Sequence, residues 1–142
     1  GVDHASAKSE VAKRKPQADE ITASRAQVIN PAFAKIAKAK SAALVETALA
    51  IQTKADKRLA AAEMAQAAAE KAAERNPNSL RAQKALAAAD AAKAKAEAAA
   101  LRADAAADKA KAKAGEIVAM VSGKRPLNAA AQKHLKMFVA NN

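Results

Sequence analysis

The sequence predicts an all-α protein: a long antiparallel, alanine-rich helical hairpin, with short flanking helices that form a small four-helix bundle at its open end. Three observations lead there. Asn76-Pro77-Asn78-Ser79 is the one strong break between Pro31 and Ser122, and it divides that stretch into two nearly equal arms. Equal arms about a short breaker are the one-dimensional pattern of an αα-hairpin. Both arms are rich in alanine, which makes up 48 of the 142 residues and has the lowest cost of entering a helix. No run of β-branched or aromatic residues alternates with period two, so no strand is expected.

Taken in order, residues 1–15 are polar and basic, with only Val2 and Val11 as larger apolar side chains, and are expected to form a flexible N-terminal arm. The remainder, 16–142, reads as a single all-helical domain. Pro16 suits the first position of a helix over 16–29, and Asp19 and Glu20 place negative charge beside its unpaired N–H groups. Asn30-Pro31 restarts the chain as a cap followed by a tolerated proline. A helix over 31–75 follows, about 67 Å long at 1.5 Å per residue. Ser79 caps the return helix, 79–122, which Ser122-Gly123 and Pro126 terminate. Asn128 is a cap for the last helix, placed over about 127–140 with Leu127, Ala131, Leu135 and Phe138 on one face.

The arms can be read in heptads. In the first, Ala34, Ser41, Ala48, Ala55, Ala62 and Ala69 form one column, and Ala37, Leu44, Ile51, Arg58, Ala65 and Ala72 form a second, offset by three. In the second, Ala82, Ala89, Ala96, Ala103, Ala110 and Ile117 pair with Ala85, Ala92, Ala99, Ala106, Lys113 and Met120. Gln83, Asp90, Glu97 and Asp104 share one flanking column, and Arg81, Lys95, Arg102 and Lys109 another. Seams this small predict a tight coiled-coil-like pair, with axes near the lower end of the usual ~8–10 Å spacing.

Bulky side chains concentrate toward the two ends of the sequence. Ile21, Val28, Ile29, Phe33, Ile36, Leu44, Val45, Leu49, Ile51 and Leu59 come early, and Ile117, Val118, Met120, Val121, Leu127, Leu135, Met137, Phe138 and Val139 late. Between Ala60 and Glu116 stand only Met64, Leu80, Leu86 and Leu101. Folding at residues 76–79 brings both rich regions together as a bulky head, with an alanine-packed prong ending at the break.

Catalytic chemistry is not expected. The chain has no cysteine, so disulfide and thiolate chemistry are excluded. His4 and His134 have no ligand partners at metal spacing, Ser41 and Ser79 have no histidine or glycine-rich elbow, and phosphate-cradling glycine loops are missing. The acids, Asp104 and Asp108 among them, read as solvated helix-surface groups, and Met64, Met120 and Met137 as packing residues. No cofactor or metal is therefore expected. No apolar run approaches the roughly 18–20 residues of a transmembrane segment. No intact signal peptide is expected, and a myristoylation pattern would need Ser or Thr at Ala5.

The remaining feature is charge. With 25 basic and 14 acidic residues the net charge is +11, which favours anionic partners. Lys13, Arg14, Lys15, Lys35, Lys38, Lys40, Lys109, Lys111, Lys113, Lys124, Arg125, Lys133 and Lys136 are expected to gather at the head, whereas the charges around the 76–79 break are balanced. The reading is a non-enzymatic structural or assembly subunit whose basic head and arm dock on an acidic protein surface in a multi-subunit assembly. The alternative is a nucleic-acid-binding architectural or ribonucleoprotein component without sequence specificity, since Trp and Tyr for base stacking are missing. Peripheral membrane contact is a third and weaker reading, because alanine supplies little surface to insert into an interface.

Overall fold

The computed structural model describes residues 29–123 and 127–142, all-helical with no strand among them. The expected arm (1–15), nearly all of the expected helix over 16–29, and the segment 124–126 lie outside the described residues. Three helices are present among the described residues: α1, Pro31–Arg75 (45 residues); α2, Leu80–Val121 (42 residues); and α3, Ala129–Asn141 (13 residues). The two long helices pack against each other as a hairpin.

Each helix begins at a polar side chain that accepts from a backbone N–H of its first turn. The Asn30 side chain accepts from the N–H of Ala32 at 2.8 Å, and its carbonyl accepts from Ala34 at 2.9 Å. Pro31 then occupies the first helical position, where it gives up no hydrogen bond. At the hairpin turn Asn76 continues the α1 ladder to the Ala72 carbonyl, and Ser79 Oγ accepts from the N–H of Ala82 at 3.1 Å. Gln83 Nε2 donates to the Pro77 carbonyl at 2.8 Å, which ties the turn down from the α2 side. Gly123 ends α2 with φ of 72°, a left-handed conformation that glycine adopts without a Cβ penalty. Asn128 caps α3 by accepting from Ala131 at 2.8 Å, so that helix starts two residues later than its apolar face suggested.

Contacts divide the chain into two compact units, one of Gly1–Ala42 with Lys113–Asn142 and one of Ala43–Ala112. In the first, the beginning of α1, the end of α2 and all of α3 enclose a small conventional core. Ile117, Met120, Leu127, Leu135 and Phe138 are buried there with Ala37, Ala114 and Ser41. The described residues thus supply three helical segments to this unit. Phe33 and Leu135 line one cleft, so an early and a late bulky residue meet as the distribution along the chain implied. Ile36, Val118 and Met137 do not join them and remain exposed.

Gly115 lies within α2 in this unit, and a methyl added there would meet nothing within 4 Å. Its open backbone lowers helix stability with no packing return. Gly115→Ala is expected to raise the unfolding free energy by about 0.5–1 kcal/mol, read from urea denaturation followed by circular dichroism.

The second unit is a helix pair with almost nothing but methyl groups between its members. Ala55, Ala100 and Ala103 form its buried cluster with Leu59 against it, and Ala107 and Ala110 continue the row. Burying one methyl-sized group contributes only about 0.8 kcal/mol, so this unit depends on helix propensity and close approach more than on apolar area.

The heptad register differs from expectation in one respect. The first column of α1 is covered as read, as is the first column of α2. The second column lies four residues after the first instead of three. It runs through Val45, Gln52, Leu59, Gln66 and Ala73 on α1, and Leu86, Lys93, Ala100, Ala107, Ala114 and Val121 on α2, all buried or half-buried. Ile51, Arg58, Ala65 and Ala72, with Ala85, Ala92, Ala106 and Lys113, are exposed instead, and only Ala37, Leu44, Ala99 and Met120 of the expected column are covered. Two cross-helix hydrogen bonds lock this register. Gln52 Nε2 donates to Asp104 and Gln66 Nε2 to Asp90, both at 2.7 Å, with sequence separations of 52 and 24 residues. Both pairs are centred on Asn78, as an unslipped hairpin requires.

Candidate functional site

Of the thirteen cations expected to mark a docking surface, Lys13, Arg14, Lys15, Lys124 and Arg125 lie outside the described residues. Lys35, Lys38, Lys40, Lys113, Lys133 and Lys136 belong to the unit that contains α3, whereas Lys109 and Lys111 belong to the unit Ala43–Ala112. Within the α3 unit, Lys35, Lys38, Lys133 and Lys136 are exposed. Two others are held by the fold. Lys40 donates to the Val139 carbonyl, which fastens the end of α3 to α1. Lys113 sits 5.5 Å from the centre of the Phe138 ring, a cation–π contact. Glu116 is the only acidic side chain among the described residues of this unit. Beside these cations is a cleft of about 400 Å³ lined by Ile29, Phe33, Leu127 and Leu135, with Gln132 and Lys136 at its edge.

The unit Ala43–Ala112 presents a second feature, which composition alone did not single out. Along one side of the pair runs a shallow groove with Ala99, Ala103 and Ala106 in its floor and Ile51, Lys54, Arg58 and Arg102 around it. It continues toward Ala62, Ala92 and Lys95, sharing Arg58, Ala99 and Arg102. The groove exists because the column flanking the seam on this side of α2 carries only alanine at Ala92, Ala99 and Ala106, so no longer side chain covers it there. Arg58, expected in the seam's second column, lines the groove instead. The signal that could have found it was the pairing of Gln52 with Asp104 and Gln66 with Asp90, which turns the seam by one residue.

Residues with chemical potential are accounted for structurally. Ser41 is buried, and its hydroxyl donates to the Lys38 carbonyl at 2.9 Å. Ser79 is the cap of α2. His134 is exposed beside Lys113 and Phe138. Met120 is a packing residue, but Met64 and Met137 are exposed, contrary to the packing role expected of them. Among the described residues, no group of three His, Cys, Asp or Glu side chains could hold a metal ion, and no helix is long and apolar enough to cross a membrane.

Compared with models of protein families, with curated proteins and with solved structures, the chain matches none.

Proposed function

We propose that this chain is a non-enzymatic structural or assembly subunit of a larger complex, docking through the basic surface around α3 on an acidic protein partner. The observation that carries this reading is the charge imbalance of the α3 unit. Lys35, Lys38, Lys133 and Lys136 are exposed there with Glu116 as the single described acid. Cations without neighbouring acids create a local positive potential that attracts and orients an acidic face. The basic residues 13–15 and 124–125 add to the same charge in sequence. The cleft lined by Phe33 and Leu135 supports the finer architecture proposed here, a four-helix bundle in which residues 16–29 supply the fourth segment.

The test is recovery of partners on the tagged full chain from native extract, compared with Lys35→Gln/Lys38→Gln/Lys133→Gln/Lys136→Gln. An acidic protein retained by the original chain and lost by the variant, at unchanged helicity, supports the reading. If the material retained is nucleic acid, released by nuclease and with a steep salt dependence, the architectural nucleic-acid role replaces it. Flotation with anionic vesicles alone would instead favour peripheral membrane contact.

A further inference from the structure

The unit Ala43–Ala112 has two differently charged sides. On one side of its alanine seam stand Asp56, Glu63 and Glu70 of α1 and Asp90, Glu97 and Asp104 of α2, each a heptad from the next on its own helix. The Gln52–Asp104 and Gln66–Asp90 hydrogen bonds lie on this side. On the other side is the alanine-floored groove with Lys54, Arg58, Lys95 and Arg102 around it, and no acidic side chain lines it. Mixed charges at i, i+4 would favour pairing within each helix. Yet the one ion pair among the described residues is Lys93–Glu97, at 3.7 Å. Lys93, and Lys111 one heptad after Asp104, stand among the acids, but the groove side is lined by bases alone.

We propose that the groove receives the acidic ridge of a second copy of this chain. Three features select that occupant. First, the ridge is a column of carboxylates at heptad spacing, and Lys95 and Arg102 repeat at the same spacing, so an identical helix pair stays in step along the groove. Second, the alanine floor and Ile51, which is 56% exposed, suit the apolar flank of a helix, whereas a flexible polyanion needs neither. The ridge carries a matching aliphatic group in Leu49, 38% exposed and in the same heptad column as Asp56. Third, the Arg58 and Arg102 guanidinium groups can each take a carboxylate through two parallel hydrogen bonds. Groove and ridge are different surfaces, so the contact is heterologous: each dimer keeps one free groove and one free ridge, and association can continue beyond two copies. This inference uses none of the residues assigned to docking around α3 and stands or falls apart from that role.

The test is sedimentation equilibrium of the full chain at low and high salt, with two charge-reversed variants. Arg58→Glu/Arg102→Glu reverses the groove, and Glu63→Lys/Glu70→Lys reverses the ridge; circular dichroism checks that each keeps its helicity. The original chain is expected to self-associate at low salt and dissociate as salt screens the contact. Each variant alone should associate at least about tenfold more weakly. An equimolar mixture of the two should associate again, because the reversed groove then meets the reversed ridge. A chain that is monomeric at low salt overturns the proposal. So does a mixture that stays monomeric, or association that the variants leave unchanged. Binding of a polyanion such as heparin to the groove, with no self-association, assigns that surface to a different ligand and overturns it equally.

Discussion

Replacing Ile117 by alanine is expected to remove about 3–4 kcal/mol of stability, the largest single effect among the described side chains. Ile117 is fully buried, and the other side chains below 2% exposure, Ala37, Ser41 and Ala107, are all small. It lies where α2 faces the start of α1 and α3, in a core that includes only Met120, Leu127, Leu135 and Phe138 as other large buried groups. Truncation there leaves a cavity that alanine-rich neighbours cannot fill, since they have no longer side chains to swing in. The check is chemical denaturation of the full chain, with Val118→Ala as control. Val118 is 39% exposed, so its truncation should cost less than about 1 kcal/mol. Equal losses at the two positions would mean that the α3 unit does not close around Ile117.

Ala107→Leu is expected to destabilise the helix pair by about 1–3 kcal/mol, whereas Ala106→Leu should change stability by no more than about 0.5 kcal/mol. The two residues are neighbours of identical chemistry. Ala107 is 1% exposed in the seam, where a larger side chain must push the helices apart. Ala106 lines the open groove, where leucine meets solvent. Thermal unfolding at high salt, which screens the proposed contact between copies, compares them directly. The reverse order would restore a seam offset by three residues.

These two experiments also mark how far the sequence could be read. The helix ends were legible because each depends on a side chain acting on its own backbone. Asn30, Ser79 and Asn128 cap the same way whatever packs around them, and Gly123 supplies a left-handed residue that few others could. The turn at 76–79 and the pairing of its two arms were legible for the same reason, since a short polar break leaves long helices little choice but to fold back. At the candidate site, the excess of lysine was visible as composition. That Lys40 and Lys113 are drawn into contact with Val139 and Phe138 was not, because those pairs are 99 and 25 positions apart in the chain, respectively.

The seam was legible only in half. Alanine on nearly every face satisfies an offset of three or four equally well, so its columns could not discriminate. The sparse larger residues divide between the two: Val45, Leu59, Leu86 and Val121 fall in the column offset by four, and Leu44, Ile51 and Met120 in the column offset by three. Gln52, Gln66 and Lys93 in the column offset by four obscured it, because a seam is expected to exclude polar groups. Here most of the seam is lined by methyl groups, and a long polar side chain at its edge can reach across to a carboxylate on the partner helix.

The residues by themselves determined that the described part of the chain is helical, where its helices begin and end to within two residues, and that two of them form a hairpin, because capping and propensity act within a few residues of backbone. Only the tertiary structure decided which face of each helix is covered, and therefore that Ile51, Arg58 and Arg102 surround an open groove while Asp90 and Asp104 bond across the other side. One residue of rotation about a helix axis moves a side chain by about 100°, and a chain built mostly of alanine leaves that rotation to be settled by the few contacts its larger side chains can make.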